Sequence, residues 1–269
     1  MNIPFHKYHG TGNDFIVGDN RTGLWNALND EQRMHLCHRR FGIGADGILL
    51  LAPPPESNPH LSFSMQYFNA DGRPGTFCGN GSRCLLSYAG DVLGLPKDQY
   101  IPFMASDGIH QGKINQDKSV SVLMKPSGEI KEHQEGFLLD TGSPHLVIFN
   151  QQVAELNVFE LGRRLRHLPE FEPDGVNVNF YRVEDDGSLF VRTYERGVED
   201  ETYSCGTGVT AVALVHLKNL GIRTGSVSLK TPGGILKVDV ESGSGGMSGP
   251  TLNGPAACVF TGTFHCKQI

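Results

Sequence analysis

Two short runs in this chain are copies of one another, and the copying extends well beyond them. CGNGSRC at Cys78–Cys84 is matched by CGTGVTA at Cys205–Ala211. Upstream, FNADG begins ten residues before Cys78 and YERG begins eleven before Cys205. Downstream, each Cys-Gly-x-Gly opens an apolar helical pattern: Leu85, Leu86, Tyr88, Ala89, Val92 and Leu93 in one copy, Val209, Val212, Ala213, Val215, Leu217 and Leu220 in the other. A glycine follows sixteen residues past each cysteine, Gly94 and Gly221, where a C-terminal glycine cap belongs. SDGI at Ser106–Ile109 then matches PGGI at Pro232–Ile235, each followed by strand-like alternation, Val120–Met124 and Ile235–Val240.

A duplicated α/β half constrains the fold strongly. Short strand patterns occupy most of the remaining chain, at Ile16–Asp19, Ile48–Leu51, Ser62–Phe68, Leu146–Phe149, Val176–Arg182 and Ser188–Thr193. Many strands with one long helix per half predict an α/β (α+β) protein of two pseudo-symmetric domains, each a mixed sheet curled around a central helix. The polar stretch KPSGEIKEHQEG at Lys125–Gly136 marks the boundary, giving domains at 1–126 and 127–253. A last strand near Cys258–Phe260, within 254–269, has no counterpart in the first copy and is expected to cross back to the first half. SGSGG at Ser242–Gly246 reads as a surface hairpin tip.

Composition narrows the function. Lys+Arg 23 against Asp+Glu 29 gives a net charge of −6, which argues against nucleic acid or an anionic membrane as partner. No run of 18 apolar residues occurs, and the start, MNIPFHKYHG, lacks the apolar core of a signal peptide, so a cytoplasmic protein is expected. Six cysteines are too sparse for a disulfide scaffold, and a Cys78–Cys205 bridge does not suit a reducing compartment as the working state. CxxC spacing is absent and Cys37-His38 has no chelating geometry by itself, so no metal site is expected. Cys37, Cys84, Cys258 and Cys266 are expected to be buried thiols. Gly 34 and Pro 15 among 269 residues point to many tight turns and to backbone that approaches a ligand closely.

At a strand-to-helix turn, Cys-Gly-x-Gly leaves backbone N–H groups free beside the positive end of a helix. A carboxylate or phosphate can bind there, and a cysteine at that spot is readily ionised. Two such motifs related by pseudo-symmetry would flank one ligand, as inversion of a carbon centre requires. One group removes a proton from one face and the other delivers a proton to the opposite face. The ligand's carboxylate would lie between two helix N-termini, which stabilise the charge that develops as the α-carbon loses its proton.

The combination NADG(x)5CGNGxRC (Asn69–Cys84) with ERGxxxET(x)2CGTG (Glu195–Gly208) resembles the diaminopimelate epimerases. Supporting blocks are HGTGNDFIV at His9–Val17, GIGADGILLL at Gly42–Leu51, GSPHLV at Gly142–Val147, DGVNVNF at Asp174–Phe180 and NGPAACVFTG at Asn253–Gly262. The resemblance implies an epimerase independent of pyridoxal phosphate, without cofactor, that interconverts LL- and meso-diaminopimelate on the route to lysine and cell wall. It implies an active site in the interdomain cleft and a homodimer. Cys78 and Cys205 take the acid/base positions. Gly79-Asn80 and Gly206-Thr207 hold the reacting carboxylate, Asn13 and Glu195 the reacting ammonium, and Asn69, Ser143, Asn177 and Arg196 the distal centre, with Arg196 on its carboxylate. His145 and Glu195 are expected near the thiols, tuning their pKa. The chain departs from the family at Ser143, where many members have Asn, and at Gly47, where some have Gln.

Each polar residue also has an ordinary structural explanation. Asn13 and the Asn69–Asp71 pair suit turns, His145 suits a packed strand position, and Glu195-Arg196 suits a solvated charge pair. Two other readings keep the fold. One is a two-thiol racemase for another amino acid, such as hydroxyproline or histidine, which would not need Asn69, Asn177 and Arg196. The other is a non-enzymatic anion binder, which would not need both cysteines.

Overall fold

The computed structural model describes residues 2–125, 128–243, 246–247 and 249–265. Cys266 lies outside the described residues, as do 126–127 of the polar stretch and 244–245 of the SGSGG run expected to be a hairpin tip. The chain forms two compact units, Met1–Val122 with Pro255–Ile269, and Leu123–Gly254.

The first unit contains β1 (Asn2–Gly10), β2 (Asn13–Asp19), α1 (Asp30–Cys37), β3 (Gly47–Ala52), β4 (Phe63–Asn69), α2 (Gly79–Leu93), β5 (Ile101–Ala105), β6 (Gly108–Ile114) and β7 (Val120–Leu123). The second contains β8 (Lys131–His133), β9 (Gly136–Asp140), β10 (Pro144–Phe149), α3 (Val158–Arg166), β11 (Asn177–Val183), β12 (Leu189–Glu195), β13 (Asp200–Thr202), α4 (Gly206–Asn219), β14 (Gly225–Thr231), β15 (Gly234–Val240), a short hairpin of β16 (Ser242–Gly243) and β17 (Gly246–Met247), and β18 (Thr251–Gly254). The final strand, β19 (Ala257–His265), pairs antiparallel with β1.

The two ladders repeat one pattern. In the first unit β1–β2 is antiparallel, β2–β3 parallel, β3–β4 antiparallel, β4–β5 parallel and β5–β6 antiparallel. In the second, β9–β10, β10–β11, β11–β12, β12–β14 and β14–β15 follow the same sequence of directions. The matched turns SDGI and PGGI are the two-residue tips of β5–β6 and β14–β15, with Gly108 (φ 126°) and Gly234 (φ 136°) closing each hairpin. The terminal strand crosses back to the first unit as expected, and its counterpart lies in the second unit. β19 occupies beside β1 the place that β8 occupies beside β9.

Each sheet is covered on both faces, which the pattern of one long helix per half did not anticipate. Strand side chains alternate between faces. Ile16, Ile48 and Leu50 face the shorter α1, packing with Leu36 and Cys37. Leu146, Val178, Phe180 and Tyr194 face α3, packing with Val158 and Leu165. The alternate residues face the long helices: a Cβ on Gly81 of α2 would meet the Leu49 side chain at 3.1 Å, and one on Gly208 of α4 would meet Asn179 at 2.3 Å. The apolar stripes of α2 and α4 are buried except near their ends, where Val92 is 37% and Leu220 58% exposed. Both lie in or just past the last helical turn. α2 ends on Gly94 in the left-handed conformation, whereas α4 ends at Asn219 with left-handed Gly221 two residues beyond.

Cys37 and Cys84 are buried thiols as expected, and burial pushes each up to about 12. Cys258 is exposed, contrary to expectation, because it lies on the outward-facing stretch of β19 with Val259 and Phe260.

Candidate active site

Each long helix begins immediately after a cysteine in an extended conformation. Cys78 is the N-cap of α2, with φ −127° and ψ 116°, and Cys205 the N-cap of α4, with φ −112° and ψ 113°. The glycines that follow allow the helix start to press against its sheet. Three residues past each cysteine, a Cβ on Gly208 would collide with the Asn179 side chain and one on Gly81 would press on the Leu49 methyls. Each thiol therefore sits at the positive end of a helix axis, where negative charge is stabilised.

In the first unit the thiol, Asn13 and Asn80 form a linked group. Cys78 Sγ accepts the Gly81 N–H at 3.4 Å and donates to Asn13 Oδ1 at 3.8 Å. Asn80 Nδ2 donates to the same oxygen at 3.3 Å. The Asn13 amide is held from its other end, Nδ2 donating to Asp46 Oδ2 at 2.7 Å. Its oxygen, the atom an ammonium needs, thus faces Cys78. Asn80 is fixed in turn by Arg83, whose Nη2 donates to Asn80 Oδ1 at 3.0 Å and to Thr11 Oγ1 at 3.3 Å. Arg83 is fully buried, and its charge is disfavoured there by desolvation. Asn69 is exposed at the end of β4, and Asp71 accepts the Arg73 N–H as an Asx turn. Gly79 and Asn80 are buried in the first turn of α2.

Asp46 belongs to a charge network that sequence reasoning missed. Arg39 Nη2 bridges Asp14 at 2.7 Å and Asp46 at 2.6 Å, and Lys7 pairs with Asp14. Burial raises the Asp14 pKa, but hydrogen bonds from Arg39 and Lys7 outweigh it and bring the carboxyl down to about 2. A carboxyl depressed in the folded state stabilises it at neutral pH and loses that contribution as pH falls through its folded pKa. The stability deficit of Asp14→Asn is therefore expected to be full at pH 7 and to shrink between about pH 4 and pH 2, read by denaturant unfolding at a series of pH values. A deficit independent of pH would contradict this assignment.

Gly47 sits where a side chain has no room. A Cβ there would stand 2.5 Å from the Phe68 carbonyl oxygen and 2.7 Å from the Tyr67 ring. Gly47→Ala is expected to cost about 1–3 kcal/mol of stability, since a backbone oxygen cannot give way. Thermal unfolding at or above the wild-type Tm would contradict this crowding.

In the second unit a different polar set gathers at the start of α4. Cys205 is 6% exposed, and its sulfur lies 3.4 Å from Thr207 Oγ1. Thr141 Oγ1 donates to the Thr207 carbonyl at 2.9 Å, tying the loop before β10 to the helix start. Asn177 organises the neighbours: its Nδ2 donates to Ser143 Oγ at 2.8 Å and to the Pro144 carbonyl at 2.9 Å, while its Oδ1 accepts the Arg196 N–H at 2.9 Å. Arg196 Nη2 reaches Ser143 Oγ at 3.3 Å. Ser143, Asn177 and Arg196 therefore form one cluster, with Asn177 positioning the other two. Glu195 accepts from Thr202 Oγ1 at 2.9 Å. His145 is fully buried, and desolvation and the Arg196 charge bring its pKa down to about 3. Asn179 Nδ2 lies 3.0 Å from His145 Nδ1 and also donates to the Leu146 carbonyl, while Thr193 Oγ1 donates to Asn179 Oδ1 at 3.0 Å. Neither Asn179 nor Thr193 was singled out in the sequence, although the N-x-N spacing at 177–179 puts both asparagines on one strand face.

Among the described residues no cluster of three or more His, Cys, Asp or Glu could hold a metal ion. Among the described residues no helix is long and apolar enough to cross a membrane.

A cysteine at the start of a sheet-packed helix in each of two repeated units defines a protein of a fold found in several solved structures. One is a phenazine biosynthesis protein of the PhzF family from Bacillus anthracis, which superposes with a TM-score of 0.77 at 11% identity, covering 99% of this chain and 100% of that one. Another is a hydroxyproline epimerase from Agrobacterium vitis, with a TM-score of 0.67 at 16% identity, covering 97% and 92%. Within that fold the chain belongs to the diaminopimelate epimerase family, whose model matches residues 5–129 and 137–252. Diaminopimelate epimerase of Flavobacterium psychrophilum is 39% identical over 97% of this chain and 100% of its own length. That of Chlorobaculum tepidum is 40% identical over 94% and 98%.

Proposed function

We propose that this chain interconverts LL- and meso-diaminopimelate in lysine biosynthesis, without pyridoxal phosphate, by proton transfer between two thiols and one α-carbon. The observation that carries the reading is the family match over both repeats, each of which starts its long helix at a cysteine. In this reading Cys78 and Cys205 are the acid/base pair, presented to opposite faces of the α-carbon. One, as thiolate, takes the α-proton; the other, as thiol, gives its proton to the opposite face; in the reverse direction they exchange roles.

The remaining assignments follow the local chemistry. The N–H groups of Gly79-Asn80 and Gly206-Thr207 serve the reacting carboxylate, and Asn13 Oδ1 with the Glu195 carboxylate serves the reacting ammonium. Asn69, Ser143, Asn177 and Arg196 serve the distal centre. Arg196 supplies the fork that pairs with a carboxylate, and Asn177 sets its backbone. Two site-level observations support this reading: Asn13 turns an oxygen toward Cys78, and Arg196 is grouped with Ser143 and Asn177.

The reading includes a cytoplasmic homodimer that takes a small-molecule substrate and neither nucleic acid nor membrane. Cysteines kept as thiols suit a reducing compartment, and exposed Val259 and Phe260 on β19 supply apolar surface for a second copy. Sedimentation equilibrium tests the dimer.

The experiment for the activity is incubation of pure protein with LL-diaminopimelate and no added cofactor, followed by chiral chromatography. Meso product is expected. Turnover of hydroxyproline or histidine with none of diaminopimelate would favour a racemase of another amino acid.

A further inference from the structure

The two units differ in one respect that their common fold does not require. The register pairs Phe15 with Gly47 and Leu49 with Tyr67 in the first unit; in the second, the equivalent positions pair His145 with Asn177 and Asn179 with Thr193. Leu49 faces Gly81 at the start of α2 as Asn179 faces Gly208 at the start of α4. Where the first unit packs an apolar group, with the Phe15 and Tyr67 rings 6.1 Å apart, the second buries a histidine, an asparagine and a threonine at 0%, 0% and 3% exposure. Burying three polar side chains where an apolar set serves equally well costs free energy unless their hydrogen bonds are used.

Those bonds fix a protonation state. The Asn179 amide is oriented by its neighbours, Thr193 Oγ1 donating to its oxygen and the Leu146 carbonyl accepting from its nitrogen. The same nitrogen carries only hydrogens, so toward His145 Nδ1 it donates, at 3.0 Å. Nδ1 is therefore an acceptor and the ring proton sits on Nε2. His145 Nε2 is buried and has no hydrogen-bond partner among the described residues. An unpaired buried donor is costly, and it is retained where something binds it during function. Placement says what. His145, Asn177, Asn179 and Thr193 lie on the sheet face covered by α4, at the end where Thr141 ties the loop before β10 to Thr207.

Resting on the proposed epimerase reading, we propose that Asn179, anchored by Thr193, is a positioning residue that holds His145 as a neutral imidazole whose Nε2–H donates to an anionic group at the N-terminus of α4. The anion is either the Cys205 thiolate or a bound carboxylate. A neutral donor stabilises either without competing for the α-proton, and such a His145 does not act as the base that deprotonates a thiol.

Asn179→Asp tests this, since an isosteric carboxylate accepts where the amide donates and draws the ring proton to Nδ1. Long-range 1H–15N spectra of 15N-histidine-labelled protein, without substrate, are expected to show His145 as the Nε2–H tautomer in the wild type and protonated at Nδ1 in the variant. Turnover of LL-diaminopimelate is expected to fall at least tenfold. If the anion is the Cys205 thiolate, iodoacetamide labelling of Cys205, but not Cys78, slows at least threefold in the free protein; if it is a carboxylate, labelling is unchanged and KM rises at least tenfold. Should Asn179→Asp fail to fold, Thr193→Val is expected to lower kcat/KM at least fivefold and Thr193→Ser to stay within twofold of wild type. A wild-type Nδ1–H tautomer overturns the proposal, as does a switched tautomer with labelling, kcat and KM all within twofold. Wild-type protein inactive on diaminopimelate overturns the epimerase reading instead, and the tautomer and labelling results still decide the role of His145.

Discussion

Cys78→Ala and Cys205→Ala are each expected to lower kcat by at least about 10²–10⁴-fold, the range attributable to one positioned acid or base. Each thiol is needed in both directions, as base in one and acid in the other, so neither variant is expected to favour LL- or meso-diaminopimelate. Stability is expected to change little. Cys78 is only partly buried, and the α2 and α4 backbones are organised by their glycines and sheet contacts, not by the sulfurs. Losses from acting residues do not add when they work as a unit, so the double variant is expected to be no slower than the worse single one. Steady-state kinetics with LL- and meso-substrate, alongside thermal unfolding, reads both effects. Appreciable turnover by either single variant would contradict the two-thiol assignment.

Arg196→Met has the second largest expected effect, and it should appear in a different parameter. The Arg196 guanidinium has a neutral neighbour in Ser143, and its backbone N–H is held by Asn177. A charged fork held this way, with no ion pair among the described residues, is set to receive a carboxylate. Removing one partner of a desolvated charge pair costs about 2–5 kcal/mol, or roughly 30- to 3,000-fold in affinity. Because the distal carboxylate does not change charge during proton transfer, the loss should fall mainly on KM, with kcat reduced less. Lysine at 196 should recover only part of it, because a point charge cannot make the paired hydrogen bonds of a guanidinium. An unchanged KM for Arg196→Met would remove Arg196 from the distal site.

Much of this was legible in the chain itself, for definite reasons. Cys-Gly-x-Gly marks a helix start in both copies, and the apolar spacing after each cysteine and the glycines at 94 and 221 marked α2 and α4. Strand cores at β3, β11 and β12 were readable because buried strands are apolar runs bounded by turns. α1 and α3 were missed because they are short, yet α1 has a readable start in Asn29 and Gln32, which form a capping box, and α3 carries Val158, Leu161 and Leu165 at helical spacing. β1 was missed because Pro4 stands between the buried Ile3 and Phe5 and because its outer partner, β19, comes from the far end of the sequence. The outward face of β19 could not be read from CVF alone, which reads equally as a buried strand. In the site, every candidate was reached through a motif, and what escaped were the residues behind them. Asp46 behind Asn13, and Asn179 and Thr193 behind His145, act across strands, so only the register brings them together, whereas Arg83 stands one helical turn past Asn80 inside the motif itself. The polar set around His145 is visible only once the two copies are aligned through their ladders.

The central claim is that two different thiols handle the two faces of one carbon, and the source of the product's α-hydrogen tests it most directly. LL-diaminopimelate carrying hydrogen at both α-carbons is turned over by pure protein in D2O, and meso product is isolated at low conversion for NMR. The two-thiol account expects deuterium at one α-carbon of every product molecule, delivered by a thiol equilibrated with solvent, with the other α-carbon unlabelled. Meso product that keeps its original hydrogen at the inverted carbon would mean one group removes and returns the same proton, and would contradict the account.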